Sequence, residues 1–577
     1  MYLRQTSRRN RDGSTVSYLA LAHNVRDPDT GTPRAQIIHS FGRADRIDRD
    51  ALGRLVASIS RFLDPADAVA AAADPALGQV TVLDSRPMGV AFLADQLWSR
   101  LGIAEAIVDA LEDRRLDAEQ VERALFAMVA NRLSSAPTSK LAGCRWVAER
   151  VFIDRLSEVS DDACYRAMDV LMEVLPGLQE QVFFSVANLL NLEVDLIFFD
   201  SSSTFWQTET ADDGLLADLA DQLTDEGDDE DRPRPVEGAT RVRGDSKDHR
   251  GDLPQVVLGM AVTREGMPVR VWTFPGNTSD QTLLRTVTDD LAAWRLNRVI
   301  WVLDRGFTSA ANRRYLQRAG GSYILGEKLR GGSAEATAAL KRQGRYHTVA
   351  GNLRVKEVRL DGVAHDRFII CHNPQRARRD AAIRQQIVAR LEAHIDGSDQ
   401  LDERDRAELA GKLKTRPTFN RFLRTTPTGK LRIDRGAITA DAKLDGKFLL
   451  RTPDQSLTPA DIAQAYKALH EAERGWRDLK TIQLQLRPVR HFTDRRIQAH
   501  IQICWLALLI LRAAELATGD TWRNLRDELD RLHLVTLATQ AGTVAQRGEL
   551  TAGQRTILTA LDLPEPPRFY DFAPATD

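Results

Sequence analysis

Two short apolar segments that each end in an aspartate constrain the fold of this chain most strongly. The first is Asp195–Asp200 (DLIFFD), and the second is Arg298–Gly306 (RVIWVLDRG). Short apolar runs without polar alternation are typical of strands that are buried on both faces. Asp200 and Asp304 stand where these strands end. If the strands are neighbours, the two carboxylates lie side by side, as a site for a divalent metal ion requires.

The length and composition of the chain indicate a soluble protein with several domains. It has 577 residues, 43% of them hydrophobic and 28% charged, and a domain usually takes about 100–200 residues. The apolar run Ile503–Leu511 is shorter than the roughly 20 residues of a membrane span, so we expect a buried helix there. The N-terminus lacks the apolar region of a signal peptide. The four scattered cysteines are typical of reduced thiols, so we expect a cytoplasmic protein.

The charge of the chain does not decide its partner. A net charge of −2 argues weakly against a nucleic-acid binder, which usually carries a basic surface. The charge is unevenly distributed, however. Residues 221–231 form an acidic block that is typical of a solvated loop, and arginines cluster at 8–11, 376–379 and 487–496. Each arginine cluster fits either a solvated surface or contacts with DNA.

The order of predicted elements indicates a mixed α/β protein with a ribonuclease-H-like core. From residue 193 the chain reads strand, strand, strand, helix, strand, which is the order of a fold whose first and fourth strands are neighbours. The predicted division is a small N-terminal β-containing module (1–80), a helical domain that either positions DNA or serves as scaffold (88–192), the first part of the core (193–330), a β-rich insertion (331–446), the second part of the core with a long helix (447–515) and a helical tail (516–577).

Four local predictions are specific enough to compare with a structure. A helix is expected over about 50–63, and a turn is one reading of Arg8, Arg9 and Arg11. A new helix is expected from Leu178, because Pro176-Gly177 interrupts the pattern before it. Residues 430–442 are expected to form a β-ribbon.

A third carboxylate on a predicted helix strengthens the case for a metal site. Tyr466, Glu473 and Lys480 recur at heptad spacing in a helix from about Pro459, so we expect them on one face. A carboxylate in a partly apolar stripe needs a cationic partner. A metal ion is one such partner. Lys480 or Arg477 is the alternative, in an ordinary structural ion pair.

Together these segments resemble the DDE-class transposases of bacterial insertion sequences, in the branch of the IS-four-like superfamily that has a long β insertion before the last acidic residue. The family signature Tyr-x2-Arg-x3-Glu-x6-Lys matches Tyr466, Glu473 and Lys480, with Leu469 in place of the arginine. The other matching segments are Phe199-Asp200-Ser201-Ser202, Leu303-Asp304-Arg305-Gly306-Phe307, Gly244-x-Ser246-Lys247-Asp248-x-Arg250, Pro275-Gly276-Asn277-Thr278-x-Asp280, and Arg487-Pro488-x2-His491 with Arg496 and His500.

The resemblance implies metal-dependent DNA cleavage at the ends of an insertion sequence, followed by strand transfer into target DNA. Asp200, Asp304 and Glu473 would be the catalytic residues and would hold two Mg²⁺ ions, for which Mn²⁺ can substitute. DNA, as terminal inverted repeats and target, is the implied partner, and the joining of two ends implies a homodimer. The expected DNA contacts are Tyr466, Arg477, Lys480, Arg487, Arg490, Arg495 and Arg496.

Two alternatives remain open at the level of sequence. One is a ribonuclease-H-like nuclease that cuts without strand transfer, and the other is an inactive or domesticated DNA-binding relic. Leu469 at the arginine position keeps the second alternative open. Trp476 is expected in the core rather than on a base, and the chain has no glycine-rich loop for ATP phosphates. The terminal repeat, the target sequence and the transposition pathway do not follow from the sequence.

Overall fold

In the computed structural model the chain has two compact units. Unit 1 comprises Met1–Asp84, Thr536–Gln546 and Phe569–Asp577, and unit 2 comprises Ser85–Val535 and Arg547–Arg568. The structure describes residues 1–10, 15–27, 31–48, 55, 58, 80–207, 211–212, 240–294, 296, 299–362, 365–539 and 542–574. The acidic block at 221–231 and most of the helix expected over 50–63 lie outside the described residues.

The N-terminal part of unit 1 is a three-stranded antiparallel sheet. Its strands, in the order β1-β2-β3, are β1 (Tyr2–Arg9), β2 (Thr15–Arg26) and β3 (Pro33–Arg43). Arg8 pairs with Val16 and Arg9 with Thr15. The interpretation of Arg8 and Arg9 as turn residues was therefore wrong, because both continue the ladder of β1 as exposed strand residues.

Helices dominate the first hundred residues of unit 2. Strand β4 (Thr81–Pro87) belongs to unit 1 up to Asp84. It is followed by α1 (Gly89–Arg100), α2 (Ile103–Asp109), α3 (Ala118–Leu133), α4 (Lys140–Arg150) and α5 (Asp161–Leu189). The helix α5 runs without interruption through Pro176, which corrects the new helix expected from Leu178. Leu171 and Leu178 on either side of the proline are buried in the same core. Their packing outweighs the one backbone hydrogen bond that proline removes.

A nine-stranded sheet forms the centre of unit 2. Its elements are β5 (Leu196–Phe205), β6 (Gln255–Val262), β7 (Pro268–Pro275), α6 (Asp280–Ala292), β8 (Ile300–Leu303), α7 (Ala310–Leu316) and β9 (Ser322–Glu327). β5, β8 and β9 are parallel neighbours, while β6 and β7 extend β5 as an antiparallel meander. The prediction that the first and fourth strands of this region are neighbours is confirmed by the pairing of β5 with β8.

The alternating side chains of β5 pack into two different hydrophobic clusters. Leu196 and Phe198 belong to the large core that also contains the C-terminal helices, and Ile197 and Phe199 belong to a second core with α6. Since both faces of the strand are covered, the run has no need of polar alternation. The expectation of a strand buried on both faces is confirmed.

The segment between the two parts of the predicted core is more helical than expected. It contains α8 (Ala334–Lys341), β10 (His347–Ala350), β11 (Leu353–Val358), β12 (Arg367–His372), α9 (Pro374–Ile395), α10 (Glu403–Lys414), α11 (Pro417–Asn420), β13 (Leu423–Thr425), β14 (Leu431–Ile433) and α12 (Arg435–Ala442). β10–β12 extend the central sheet through β15 (Lys447–Thr452), in the order β10-β11-β12-β15-β9. The β-ribbon expected over 430–442 was wrong beyond β14, because the side chain of Asp434 caps α12.

The C-terminal part contains both helices and strands. Its elements are α13 (Pro459–Lys467), α14 (His470–Arg477), α15 (Asp494–Thr518), α16 (Trp522–Leu529), β16 (His533–Thr539), β17 (Gly542–Arg547), α17 (Ala552–Ala560) and β18 (Phe569–Pro574). The tail after 516 is thus not purely helical, since β16–β18 join β4 in a four-stranded sheet. α15 is long and apolar enough to cross a membrane, but 83% of its most apolar window is buried inside the protein. It is the buried helix expected around 503–511.

Candidate active site

Asp200 and Asp304 occupy matching positions on neighbouring parallel strands. The β5–β8 ladder pairs Leu196 with Ile300 and continues to Phe199 with Leu303, and the two aspartates follow the last pair. Asp200 lies within β5, and Asp304 follows β8 at the start of a 3₁₀ turn. Parallel strands end at the same edge of a sheet, so the ladder brings two distant parts of the chain to one place.

The Tyr466 hydroxyl fixes the Asp304 carboxylate. It donates a hydrogen bond of 2.7 Å to Oδ1 of Asp304. Gly326 on β9 makes this approach possible, because a Cβ at that position would lie 2.2 Å from the Tyr466 hydroxyl oxygen. Burial raises the pKa of Tyr466, and the neighbouring Asp304 raises it further. The phenol therefore remains a hydrogen-bond donor at neutral pH.

Glu473 lines a cleft together with Asp304 and Tyr466. A cleft of about 600 Å³ is lined by Asp304, Tyr466 and Glu473 together with residues of the 331–446 segment. Burial raises the pKa of Asp200 to about 6, Lys247 opposes this shift, and the charges of Asp304 and Glu473 add to it. The negative charges of Asp304 and Glu473 therefore disfavour the ionised form of Asp200.

The helix that carries these residues is not continuous, which corrects the expectation of one face with heptad spacing. α13 ends at Lys467, α14 begins at His470, and a π-helical turn follows at Asp478–Ile482. Leu469, at the junction of the two helices, is only 7% exposed and belongs to the main core. Leu469, which replaces the arginine of the family signature, is therefore a residue of the hydrophobic core in this chain.

Lys480 is buried and bonded within the protein. Its ammonium donates hydrogen bonds of 3.0 Å to Oγ of Ser202 and to both carboxylate oxygens of Asp248. Arg487 approaches the same carboxylate at 3.3 Å. Burial lowers the pKa of Lys480, while the bond to Asp248 raises it. The lysine ties the end of β5 to the segment that carries Asp248.

Sequence reasoning assigned no role to a second polar cluster beside Asp200. Lys247 donates hydrogen bonds to Ser201 (2.5 Å) and to Asp280 (2.9 Å), and Ser201 donates to the other oxygen of Asp280 at 2.6 Å. The Lys247 charge acts on the Asp200 carboxylate. Both Lys247 and Asp280 lie in segments with family resemblance, so their position in the sequence was available as a signal.

The remaining predicted contacts fall into two groups. Arg477 and Arg490 are exposed, and Arg487 is half-buried. Arg495 instead forms an ion pair with Glu173, and Arg496 approaches Asp169 at 3.6 Å while its guanidinium lies over the ring of Tyr165. Trp476 is only 4% exposed, which confirms its expected place in the core.

The structural alternative for Glu473 is not supported. Lys480 pairs with Asp248 instead, and the ion pairs found within the described ranges do not include Glu473. Among those same residues no group of three or more histidine, cysteine, aspartate or glutamate side chains forms a finished metal centre. Glu473 is exposed on α14 and lines the same cleft as Asp304.

Family models match two parts of this chain. Residues 234–510 match the model described as "Transposase DDE domain". Residues 3–71 match the model described as "IS1634 family transposase, N-terminal domain". This chain is an insertion-sequence DDE transposase. The match to the DDE domain includes Asp304, Tyr466, Glu473 and Lys480, and it begins after β5.

Two further comparisons say less about the transposase. No curated protein matches its sequence. A solved structure described as the piggyBac transposase synaptic complex with hairpin DNA is similar at 9% identity and a TM-score of 0.33, covering 76% of this chain and 79% of that one. At this TM-score the likeness carries no argument about fold or mechanism.

The family defines the general activity of the transposase. It is an enzyme that cleaves DNA and transfers the cut strand, and DNA is its partner. Enzymes of this family act with divalent metal ions. The family match alone does not say which carboxylates hold the metal.

Proposed function

We propose that Asp200, Asp304 and Glu473 are the catalytic carboxylates of this transposase. The observation that carries the proposal is the parallel pairing of β5 with β8, because it sets Asp200 and Asp304 in matching register. The raised pKa of Asp200, to which both other carboxylates contribute after burial, supports the place of Glu473 beside them. The strand order β7-β6-β5-β8-β9 supports a ribonuclease-H-like core around this site.

The donor set fits two Mg²⁺ ions, with Mn²⁺ as a substitute. All three side chains offer carboxylate oxygen, the ligand that Mg²⁺ prefers. A buried carboxylate with a raised pKa also gains when a cation replaces its proton. Asp200 would hold both ions, and Asp304 and Glu473 would each complete one. When bound, such a pair of ions activates the attacking oxygen and stabilises the leaving oxygen at phosphorus.

The residues around the carboxylates position them. Tyr466 orients Asp304, and the Lys480–Asp248 pair holds β5 against the following segment. Lys247 donates a hydrogen bond to Asp280. Its positive charge lowers the pKa of Asp200 and so partly offsets the effect of burial. The chain's own contribution is thus a preorganised acidic site whose charge an incoming cation balances.

The proposed DNA-contacting residues are Tyr466, Arg477, Lys480, Arg487, Arg490, Arg495 and Arg496. Arg477 and Arg490 are exposed and can reach phosphates directly. Lys480, Arg487, Arg495 and Arg496 have protein carboxylates beside them and would exchange or share these partners in the complex. The proposed ligands are the terminal inverted repeats and target DNA, bound by a homodimer in the cytoplasm. The division of the chain into six segments, from the N-terminal module (1–80) to the C-terminal tail (516–577), stays a prediction.

A strand-transfer assay tests the proposal. The protein is incubated with a labelled duplex of the element end, a target plasmid and Mg²⁺. We expect both a cleaved end and a joined product, and the loss of both in the Asp200→Asn variant. Cleavage without joining would favour the nuclease alternative. No reaction by the unmodified protein would favour the relic. Unchanged cleavage by D200N would contradict the site assignment.

A further inference from the structure

A small cavity away from the carboxylates is lined by four cationic and two imidazole side chains together with neutral residues. Its volume is about 250 Å³, and it lies between the end of α3, the start of α4 and the segment leading into α15. Its titratable lining residues are Arg132, Lys140, Tyr165, Arg487, Arg490, His491 and His500. No aspartate or glutamate is among the described residues that line it.

The positive groups of this cavity lack the carboxylate partners that buried cations normally have. Lys140 is only 7% exposed, and no hydrogen bond or ion pair involves its ammonium among the described residues. Arg132, 5% exposed, donates only to neutral acceptors: the carbonyl oxygens of Gln485 and Thr138 and the side chain of Asn131. Of these cations, Arg487 alone has a carboxylate beside it within the described part of the chain, namely Asp248.

Unpaired donors and mutual repulsion also characterise the cavity. Among the described residues, Nε of Arg132 and Nε of Arg487 are buried donors without a hydrogen-bond acceptor. Burial, with a smaller contribution from the charge of Arg132, lowers the pKa of Lys140 to about 7. Burial lowers the pKa of His491 to about 4, and Lys140 contributes to this shift. The neighbouring thiol of Cys504 has a raised pKa because it is buried, so it brings no negative charge.

The amino end of α4 adds to the same field. Lys140 is the first residue of this helix, and Ser139 caps it by accepting from the amide of Ala142 at 3.3 Å. The first amides of a helix have no intrahelical acceptor and carry partial positive charge. The start of α4, the ammonium of Lys140 and the guanidinium of Arg132 therefore lie at the same cavity. A bound anion would relieve the repulsion among these positive groups.

We propose that this cavity binds a phosphate group of the DNA backbone. The proposal rests on the proposed function, because it takes DNA as the ligand. Arg487 lines the cavity and also contacts Asp248, whose other partner is Lys480 beside the end of β5. A phosphate in the cavity would draw Arg487 toward it and leave Asp248 to Lys480. The cavity is thus an anchoring site connected to the catalytic carboxylates through one shared aspartate.

Two measurements on the full chain without Mg²⁺ test the proposal. The first is thermal unfolding in inorganic phosphate against chloride at equal ionic strength. The second is the salt dependence of binding to a fluorescent duplex of the element end. The test variants are Lys140→Met and, as a change at an exposed residue with little risk to folding, Arg490→Gln. Lys412→Gln, which removes an exposed lysine of α10, is the matched control.

The expected result has three parts. Phosphate raises the unfolding temperature of the unmodified protein and of K412Q but not of K140M. K140M and R490Q bind the duplex about tenfold more weakly, and the slope of log K against log salt falls by about one for each. Without phosphate, K140M is at least as stable as the unmodified protein, whereas a lysine with a purely structural role would lose stability when replaced.

Each contrary outcome overturns a defined part of the proposal. Equal phosphate protection in K140M and the unmodified protein would reject the cavity as an anion site. Lost phosphate protection with unchanged duplex isotherms in both variants would reject DNA as its ligand and leave a site for a free anion. Failure of the proposed function is separate, because it appears as absent Mg²⁺-dependent cleavage and does not alter the phosphate measurement.

Discussion

The hydroxyl of Tyr466 donates a 2.7 Å hydrogen bond to the carboxylate of Asp304. The donor lies on α13 and the acceptor follows β8, so one bond joins the two parts of the core across the whole 331–446 segment. The bond leaves the second oxygen of Asp304 for another ligand. It gives the spacing of the family signature a structural reason in this chain: Tyr466 orients Asp304, one of the proposed catalytic carboxylates.

Replacing Tyr466 by Phe should slow DNA cleavage by about ten- to a hundredfold, since a hydrogen bond to a charged group contributes about 1.5–3 kcal/mol. We expect the apparent affinity for Mg²⁺ to fall as well, because Asp304 is no longer held in place. Cleavage rates across a Mg²⁺ titration measure both effects. Tyr315→Phe is the control: it removes a similar hydroxyl–aspartate bond, to Asp289, at an exposed site. A rate for Y466F equal to that of Y315F would contradict the positioning role.

Gly326→Ala should destabilise the protein and reduce cleavage together. The added Cβ would lie 2.2 Å from the Tyr466 hydroxyl oxygen, and relieving such an overlap typically costs about 1–3 kcal/mol. Thermal unfolding and cleavage rate are the measurements. In the double variant G326A/Y466F the loss of stability should be smaller than the sum of the single losses. Gly411→Ala, inside α10 with nothing within 4 Å of its Cβ position, should leave cleavage unchanged and stabilise the protein by about 0.5–1 kcal/mol. Additive losses would show that the two positions are independent.

The raised pKa of Asp200 predicts a pH-dependent stability of opposite sign to the usual aspartate. Its value of about 6 lies above that of an unfolded aspartate, so the folded state binds the extra proton between about pH 4 and 6. The contribution of Asp200 to stability is therefore present at low pH and lost as the pH rises through 6. Without metal at pH 8, D200N should be more stable than the unmodified protein, by on the order of 2 kcal/mol.

Denaturant unfolding between pH 5 and 8 measures this difference, and Mg²⁺ provides a second check. Addition of Mg²⁺ at pH 8 should stabilise the unmodified protein and leave D200N nearly unchanged. A D200N variant that is less stable than the unmodified protein at pH 8 would show that the carboxylate is a stabilising structural group.

Breaking the buried Lys480–Asp248 pair on one side should be strongly destabilising. Lys480→Met leaves the Asp248 carboxylate with Arg487 alone, and removing one partner of a buried pair typically costs about 3–5 kcal/mol. Chemical unfolding is the measurement. Lys412→Met, which breaks the exposed pair with Glu408, is the control and should change stability little. If K480M were as stable as K412M and only DNA binding fell, Lys480 would be a direct phosphate ligand rather than a structural anchor.

The neighbouring strands were predictable from the sequence, because their apolar runs and the aspartates after them are local signals. The register of β5 against β8 was not, although it places Asp200 beside Asp304. Register depends on packing by both hydrophobic clusters, which draw residues from the whole unit. The same holds for the uninterrupted α5, where long-range packing outweighs the local effect of Pro176.

The surroundings of the carboxylates were predicted less well. Heptad spacing placed Tyr466, Glu473 and Lys480 on one helical face, but the break after Lys467 and the π-helical turn at Asp478–Ile482 send them to different partners. Spacing assumes a regular helix, and neither irregularity has a local signal such as proline. Asp248, Lys247 and Asp280 lie in segments with family resemblance, but their contacts with Lys480 and Ser201 depend on the folded chain.

Glu473 is the most exposed of the three carboxylates, so its place in the proposed metal site is the sharpest test of the account. The measurement is Mn²⁺ binding by electron paramagnetic resonance in the DNA complex, taken together with the cleavage rate. Glu473→Gln is compared with Glu471→Gln, a carboxylate on the same helix that pairs with Arg474. We predict that E473Q loses bound manganese and cleavage, whereas E471Q keeps both. Full manganese binding and cleavage in E473Q would contradict the proposed catalytic site.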